Sequence, residues 1–223
     1  MLKSKLSRPQ FKLALFVLGI LVFRLVLLGA IPLLDKTEAR YSEIARLMHE
    51  TGEWIVLQID YGLPFWAKPP LSTWTSALTY YLFGVNEFAA RLPYFIMNLA
   101  LILIIGKYVL KNRIDSIILA FILLTMPEFL LHSGVVSTDT ALCLSISLIM
   151  ISFWNRMQGG HRIWGYLFFI GVGLGLLAKG PIVVVLSGPP IFLWLVIQKN
   201  KWQSGAATSL TGKLAITSTG FVL

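Results

Sequence analysis

Long apolar runs separated by short polar segments dominate the pattern of this chain. Five runs approach the roughly 17–25 residues that a helix needs to cross a bilayer; they cover residues 13–34, 93–109, 116–136, 140–154 and 163–197. The last run is too long for one helix. It is interrupted at Lys179, Gly180 and Pro181, where a charge, a flexible residue and a helix breaker follow one another. The pattern therefore predicts six spans, at about 13–34, 93–110, 116–136, 140–155, 163–178 and 181–197.

The first polar segment, residues 35–92, begins with a pattern typical of an amphipathic helix. Apolar residues recur there at the spacing i, i+3, i+4, i+7, and mostly charged residues fill the positions between them. The apolar set is Tyr41, Ile44, Ala45 and Met48, and the charged set is Glu38, Arg40, Glu43, Arg46 and Glu50. Asp35 or Thr37 can cap the start of this helix, and Gly52 can cap its end. We expect the polar face to line a crevice or to face water.

Three further elements are predicted before the second span. Residues 54–60 favour an extended stretch, and residues 62–70 combine prolines and aromatic residues into a rigid loop near the membrane interface. The apolar run Leu71–Phe83 is too short to cross a bilayer, so it is predicted to be a re-entrant or juxtamembrane helix. Asn86–Arg91 then leads into the second span.

Composition places the chain in a membrane. Hydrophobic residues make up 57% and charged residues 13% of the 223 residues, whereas soluble domains average about 45–50% apolar and about 25% charged residues. The net charge is +9, from 19 Lys and Arg against 10 Asp and Glu. Because the basic residues cluster between apolar runs, they indicate membrane topology and no nucleic-acid partner. The single cysteine, Cys143, excludes a disulfide framework within the chain.

The basic clusters predict one consistent orientation. They lie before the first span and after the second, fourth and sixth spans, so an amino terminus in the cytoplasm places every cluster on the inner side. Their members are Lys3, Lys5, Arg8 and Lys12; Lys107, Lys111 and Arg113; Arg156 and Arg162; and Lys199, Lys201 and Lys213. The outer face then receives residues 35–92, residues 133–139 and the turn at Lys179.

Several ordered stretches make the prediction more specific. They are TEARYSEIAR (37–46), TGEW (51–54), LPFWAKPPL (63–71), LFGVNEFAARLP (82–93), STDT (137–140) and LAKGP (177–181). In order and spacing they resemble the amino-terminal region of the GT-C glycosyltransferases. The similarity is to the bacterial aminoarabinose transferase of lipid A and to the dolichyl-phosphate-mannose protein mannosyltransferase-like family. It covers about residues 10–200.

The resemblance implies an all-α integral membrane protein, a multi-span GT-C-type bundle with a large first outer loop containing juxtamembrane helices. It also implies an enzyme that moves a sugar from a polyprenyl-phosphate donor to a lipid, glycan or protein acceptor on the outer face of the bacterial inner membrane. We expect this region to occupy residues 1–200, followed by a polar tail at 201–223. Since the family's members are usually more than twice as long, the alternative is a truncated, non-catalytic membrane protein that binds polyprenyl phosphate or a partner.

Glycosyl transfer needs a carboxylate that takes the acceptor proton. The candidates for this catalytic task are Asp35, Glu38 and Asp139. Each lies at a predicted helix start, where a carboxylate also caps the helix or interacts with its positive end. A purely structural role for each therefore stays open.

Transfer also needs cations that hold the departing phosphate. The candidates for donor phosphate binding are Arg40, Lys68 and Lys179, since guanidinium and ammonium groups both pair with phosphate. The structural alternatives are a surface ion pair of Arg40 with Glu43, an interfacial anchor at Lys68, and a marker of the outer water boundary at Lys179. Three aromatic residues are candidates for lining the donor pocket: Tyr41, Phe65 and Trp66.

No metal site is predicted from the residues themselves, because His49, His132 and His161 lack metal-ligand spacing. The resemblance points to a metal-ligating glutamate before the Lys-Pro sequence, but that position is Ala67 here. The aminoarabinose transferase also begins its loop motif with an aspartate where this chain has Thr37. Use of a divalent cation as a cofactor stays open, but Ala67 weakens this expectation.

Two features inside the predicted spans bear on packing. Arg24 lies near the middle of the first span, where an unpaired cation costs about 2.5–3.5 kcal/mol, so we expect either a partner within the bundle or a shorter core that leaves Arg24 near a cavity. Gly171 and Gly175 form a small-xxx-small pair, which favours close helix packing over a nucleotide-binding loop.

Overall fold

The computed structural model describes residues 7–110 and 112–203, which form an α-helical bundle with one small hairpin. The helices are α1 (Arg8–Ala30), α2 (Lys36–Thr51), α3 (Leu71–Phe83), α4 (Glu87–Ile105), α5 (Arg113–Thr125), α6 (Pro127–His132), α7 (Thr138–Met157), α8 (Ile163–Lys179) and α9 (Ile182–Gln203). Strands β1 (Gln58–Asp60) and β2 (Leu63–Pro64) pair antiparallel. A π-helical turn, Gly106–Leu110, extends α4. The predicted all-α fold class is confirmed.

Within the described part of the chain, three helices are long and apolar enough to cross a membrane: Arg8–Ala30, Glu87–Leu110 and Thr138–Met157. Shorter apolar helices cover Ile114–Thr125, Ile163–Lys179 and Ile182–Gln198. These six segments overlap the six predicted spans, while the number of spans and the division into 1–200 and 201–223 stay predictions. Most of the predicted tail, residues 204–223, lies outside the described residues, as do Lys3, Lys5 and Lys111.

Prolines move the boundaries of two predicted spans. Helix α1 ends at Ala30 and not at residue 34, because the residue before Pro32 is disfavoured in the helical conformation; Ile31 is extended, with φ −111° and ψ 126°. The predicted span 116–136 is divided before Pro127, where Met126 is extended, with φ −74° and ψ 121°. Helix α5 ends there and the short helix α6 begins.

Helix α4 begins earlier than predicted, because Asn86 is its N-cap and accepts a hydrogen bond from the Ala89 amide at 2.8 Å. The residues predicted to lead into the span are therefore helical, and Pro93 lies inside the helix. A proline has no amide for the carbonyl four residues before it. That carbonyl, of Ala89, instead accepts from Thr79 Oγ1 at 2.6 Å, so a side chain of α3 replaces the missing bond.

Helix α2 confirms the predicted amphipathic pattern, because its apolar set is buried in a cluster with residues of α3 and α4. The members of this cluster are Tyr41, Ile44, Ala45, Met48, Leu57, Ala77, Tyr80, Ala89, Ala90, Tyr94 and Val136. Gly52 ends the helix as predicted, with φ 70°. Helix α3 has its predicted bounds and contacts α2, α4, α7 and α8. It therefore joins residues 35–92 to the rest of the bundle.

Close packing of α7, α8 and α9 depends on two glycines. A Cβ atom at Gly171 would lie 2.9 Å from Cγ1 of Ile149, and one at Gly175 would overlap the side chain of Val183. The predicted small-xxx-small packing is thereby confirmed. The predicted break between the last two helices is also confirmed, at Gly180 with φ 73°.

Candidate active site

Asp35 is the N-cap of α2, so of the two predicted caps Thr37 is excluded. Oδ2 of Asp35 accepts hydrogen bonds from the backbone amides of Thr37 at 2.8 Å and Glu38 at 3.0 Å. These bonds, above all the one from Glu38, lower the pKa of Asp35 because they stabilise the charged carboxylate. The residue remains exposed, so its carboxylate is accessible.

Glu38 is buried, which corrects the exposed polar position that the helical pattern predicted. Its side chain is 3% exposed, and that of its partner Arg91 is 5% exposed. Nε and Nη2 of Arg91 donate to Oε1 and Oε2 of Glu38, each at 2.8 Å. An enclosed carboxylate held in this way is poorly placed to take a proton from a substrate.

Arg91 is the important residue to which the sequence pattern assigned no role. The sequence does contain an indication of its importance, because a lone cation at the start of an apolar run requires a partner. What the sequence does not contain is the identity of that partner, which lies 53 residues away along the chain.

Asp139 and Lys179 form an ion pair between α7 and α8, in which Nζ of Lys179 donates to Oδ1 of Asp139. The side chain of Asp139 is 51% exposed and that of Lys179 is 26% exposed, so the pair borders an open face. The N-cap of α7 is Ser137, whose hydroxyl accepts the Asp139 amide at 3.1 Å. The N-cap alternative for Asp139 is therefore wrong, although Asp139 still lies in the first turn of α7, where a carboxylate interacts with the positive end of the helix.

Tyr41 of α2 lies within electrostatic range of this ion pair. The charges of Arg40, Lys179 and Asp139 all act on the Tyr41 hydroxyl, while burial has the largest effect and raises its pKa. The Tyr41 ring contacts Phe65 edge-on, with the ring centroids 6.3 Å apart. Arg40, Asp139 and Lys179 thus each lie within electrostatic range of Tyr41, and Phe65 borders Tyr41.

The other two predicted loop residues are less closely associated with this group. Lys68 is half-buried and forms no hydrogen bond or ion pair with a described residue, and Trp66 beside it is 79% exposed. Arg40 is likewise without an ion pair among the described residues. The alternative pair of Arg40 with Glu43 is wrong, because Glu43 pairs with Arg46 at 2.6 Å.

Arg24 has the partner within the bundle that its position requires. Its Nη2 donates to the Leu131 carbonyl at 2.8 Å, and its Nε donates to the Ser133 hydroxyl at 3.3 Å. This carbonyl lies in the last turn of α6, where the helix dipole favours a cation. A Cβ atom at Gly134 would lie 2.7 Å from Nη2 of Arg24, so a glycine makes this approach feasible. Arg24 thereby links the end of α6 to α1 through hydrogen bonds.

The described residues do not fit a bound divalent cation by themselves. Within residues 7–110 and 112–203, no group of three His, Cys, Asp or Glu side chains comes together. Glu128 and His132 meet only as a pair, at 3.0 Å, and Ala67 offers no ligand atom. A tight metal site requires more donors than such a pair supplies.

Comparison with known proteins assigns the chain to a family. Its sequence matches the family model of dolichyl-phosphate-mannose-protein mannosyltransferase over residues 11–223, and the chain belongs to this family. It is 27% identical to the undecaprenyl phosphate-alpha-4-amino-4-deoxy-L-arabinose arabinosyl transferase of Wigglesworthia glossinidia brevipalpis over 203 residues, which are 88% of this chain and 36% of the relative. The transferase of the same name from Aeromonas hydrophila is 31% identical over 188 residues, covering 81% of this chain and 34% of the relative.

Solved structures show the same fold. The crystal structure of ArnT from Cupriavidus metallidurans in the apo state superposes with a TM-score of 0.77 and 24% identity, covering 96% of this chain and 42% of that one. The structure of the same protein bound to undecaprenyl phosphate gives a TM-score of 0.74 and 22% identity, covering 93% and 39%. The fold is therefore that of the GT-C glycosyltransferases, as the resemblance implied.

The chain spans little more than a third of the length of these two curated relatives. Its fold, its family and its apolar helices make it a multi-pass protein of the bacterial inner membrane.

Proposed function

We propose that this chain carries the donor-binding and proton-accepting groups of a glycosyltransferase that moves a sugar from a polyprenyl phosphate to a lipid, glycan or protein acceptor. The observation that carries the proposal is the ion pair of Asp139 with Lys179, in which an accessible carboxylate and a cation from two helices meet within electrostatic range of Tyr41. Membership of the mannosyltransferase family supports glycosyl transfer. The names of the relatives and the ligand of the ArnT structure support undecaprenyl phosphate as the carrier.

The proposed reaction assigns a task to each group. An acceptor oxygen attacks the anomeric carbon of the donor sugar, and its proton passes to Asp139 or Asp35. The bond between the anomeric carbon and the phosphate oxygen breaks, and the phosphate leaves with the bonding electrons and inverts the sugar configuration. Lys68, Arg40 and Lys179 neutralise the charge that develops on the leaving phosphate.

Glu38 is left out of the proposed proton transfer because its two oxygens are enclosed and bonded to Arg91. Tyr41, Phe65 and Trp66 are proposed to line the pocket for the carrier lipid near the phosphate. No step is proposed through a metal ion, since the donor set described above does not fit one.

The site is proposed to face the outer side of the membrane, with the amino terminus in the cytoplasm. This orientation is supported by the positions of Asp35, Asp139 and Lys179, which all lie at the helix ends opposite the basic residues Arg156 and Arg162. A carrier phosphate would reach this end from the outer leaflet.

The proposal is tested by sugar transfer from a radiolabelled undecaprenyl-phosphate sugar pool in membranes that contain this gene product. Replacing Asp139 by Asn is expected to reduce transfer about 10²–10⁴-fold, because the proton acceptor is lost. Replacing Lys68 by Ala is expected to reduce it about 10²–10³-fold. The matched controls are Asp60→Asn and Lys36→Ala, an exposed carboxylate and an exposed cation of the same outer segment that lie outside the proposed site.

Wild-type transfer rates in both site variants would remove Asp139 and Lys68 from the mechanism. Binding of undecaprenyl phosphate without transfer by the wild-type chain would instead favour the non-catalytic alternative.

A further inference from the structure

The buried ion pair of Glu38 and Arg91 has no task in the proposed chemistry, although the Glu38 amide bonds the candidate carboxylate of Asp35. Both side chains are almost fully enclosed, at 3% and 5% exposure. Two parallel hydrogen bonds of 2.8 Å join them, a geometry that restricts both the direction and the distance of approach.

The remaining donors of Arg91 bind the connection between α1 and α2. Nη1 donates to the carbonyls of Leu28, at 3.0 Å, and Ile31, and Nη2 donates to the carbonyl of Pro32 at 3.0 Å. This connection leads directly into Asp35. Arg91, on α4, therefore holds the segment that carries the first candidate carboxylate.

The remaining contacts of Glu38 reach the Asp35 carboxylate and the segment that precedes Asp139. Its backbone amide donates to Oδ2 of Asp35 at 3.0 Å. Its Oε1 also accepts the backbone amide of Val136 at 3.2 Å, three residues before Asp139. Residues that are 98 positions apart in the sequence are thus joined through one buried carboxylate.

We propose that Glu38 and Arg91 are a positioning pair that sets the distance and orientation between the Asp35 and Asp139 carboxylates. This inference rests on the proposed function, because it assumes that these carboxylates act on one substrate. An apolar contact at the same place would be non-directional, whereas a bidentate pair with all its polar atoms bonded specifies one arrangement. The pair supports the reaction through geometry and takes no proton.

Kinetic measurements on the protein in membranes separate positioning from proton transfer. Glu38→Ala is expected to lower kcat for sugar transfer about 100-fold, the effect of a misplacement of about 1 Å, with little change in the KM for the donor. Glu38→Gln retains one oxygen, which can accept from both the Val136 amide and Nε of Arg91, but its amide nitrogen faces Nη2 of Arg91 and it cannot accept a proton. It is therefore expected to recover part of the lost kcat and to keep the wild-type pH profile.

The matched control is Glu43→Gln, which removes a charge from an exposed ion pair on the same helix. We expect wild-type kcat and KM in this variant. A loss of kcat in Glu38→Gln as large as in Glu38→Ala, together with loss of one limb of the pH profile, would overturn the proposal and make Glu38 the proton acceptor.

A distance measurement tests the pair independently of activity. Cys143, the single cysteine, lies on α7 one turn after Asp139, and Lys36→Cys places a second label on exposed α2. With spin labels at both positions, pulsed electron paramagnetic resonance is expected to show a narrow distance distribution in the parent and in Glu43→Gln. A broader or shifted distribution is expected in Glu38→Ala.

The two measurements distinguish failure of the inference from failure of the proposed function. An unchanged distance distribution in Glu38→Ala would overturn the positioning role, whatever the activity. If the wild-type protein transfers no sugar but Glu38→Ala alters the distribution, the pair still sets the geometry between the two segments while the proposed reaction is wrong. If Glu38→Ala does not accumulate in membranes, Glu38→Gln decides. A broader distribution together with a lower kcat supports the pair, whereas a change in neither quantity, or in the distance alone, contradicts it.

Discussion

Arg91 shows how much of this fold depends on one residue. Its side chain makes five hydrogen bonds, two to the Glu38 carboxylate and three to backbone carbonyls around the end of α1. These bonds use the whole donor capacity of a guanidinium group. A buried charge with every donor bonded is tolerated, whereas removal of one partner leaves the other charge unpaired in a medium that solvates it poorly.

Replacing Arg91 by Met should therefore lower the free energy of unfolding by about 3–5 kcal/mol. The exposed pair of Arg46 and Glu43 offers a matched control, and Arg46→Met should cost less than about 1 kcal/mol. Denaturant titration of the purified protein in detergent, followed by tryptophan fluorescence, measures both. An equal decrease in the free energy of unfolding of the two variants would contradict the larger stabilisation assigned to the buried pair.

At the scale of elements, α2 is held on its two sides by different interactions. Its apolar side packs against α3 and α4. On its polar side Glu50 accepts the Arg46 guanidinium at 2.5 Å and the Tyr61 hydroxyl at 2.6 Å, which ties the hairpin to the helix. The polar side therefore depends on the ionisation of a carboxylate, and the apolar side does not.

This dependence predicts release of the hairpin in acid. Hydrogen bonds from Tyr61 and then from Arg46 lower the pKa of Glu50 below its usual value of 4.5. For a carboxylate with a depressed pKa, the stabilisation is present above the ordinary pKa and is lost as the pH falls through the folded-state pKa. Amide hydrogen exchange in residues 58–64, corrected for the intrinsic pH effect, should be slow at pH 7 and accelerate below about pH 4. In Tyr61→Phe, amide exchange in residues 58–64 should already be fast at pH 7. Equal exchange rates of the wild type at pH 7 and below about pH 4 would contradict the role of the Tyr61–Glu50 hydrogen bond.

The glycines of α8 allow a second test at this scale. A side chain at Gly175 would overlap Val183 of α9, whereas a Cβ atom at Gly173 would meet nothing within 4 Å. Gly175→Leu should therefore destabilise the bundle by about 1–3 kcal/mol and lower its melting temperature. Gly173→Leu, on the same helix, should leave the melting temperature nearly unchanged. The prediction is wrong if both variants melt alike.

At the scale of the whole molecule, the connections bring all the candidate groups to one end of the bundle. Asp35 follows α1, Asp139 begins α7 and Lys179 ends α8, while Arg156 lies at the opposite end of α7. Arg156 lies 17 positions after Asp139 along α7, which corresponds to a rise of about 25 Å. The candidate site and the basic residues that predict the cytoplasmic side are thus separated by most of a hydrocarbon core.

This separation predicts opposite accessibility from the two sides of the membrane. In a Cys143→Ser background, Ile55→Cys in the first outer segment should react with a membrane-impermeant maleimide in intact spheroplasts. His161→Cys, in the loop between α7 and α8, should react only after the membrane is permeabilised. Both parent residues are exposed, so neither is shielded by the protein. The reverse pattern would overturn the proposed orientation.

Local patterns in the sequence were sufficient for the elements that depend on neighbours along the chain. The amphipathic period of α2, the Asp35 cap and the break at Gly180 each arise from residues within a few positions of one another. Prolines were harder to interpret, since Pro127 divided a predicted span while Pro93 was accommodated within a helix. The difference at Pro93 is the hydroxyl of Thr79, which comes from another helix.

The sequence by itself thus determined the membrane class, the apolar helices, the family and the residue types that suit phosphate and proton transfer. Only the tertiary structure decided which of these residues meet: it joined Asp139 to Lys179 and enclosed Glu38 with Arg91. The physical reason is the separation along the chain over which each interaction acts. Periodicity and capping act over a turn or two of helix, whereas the burial and pairing of a charge depend on partners that only the packing of distant segments brings into contact.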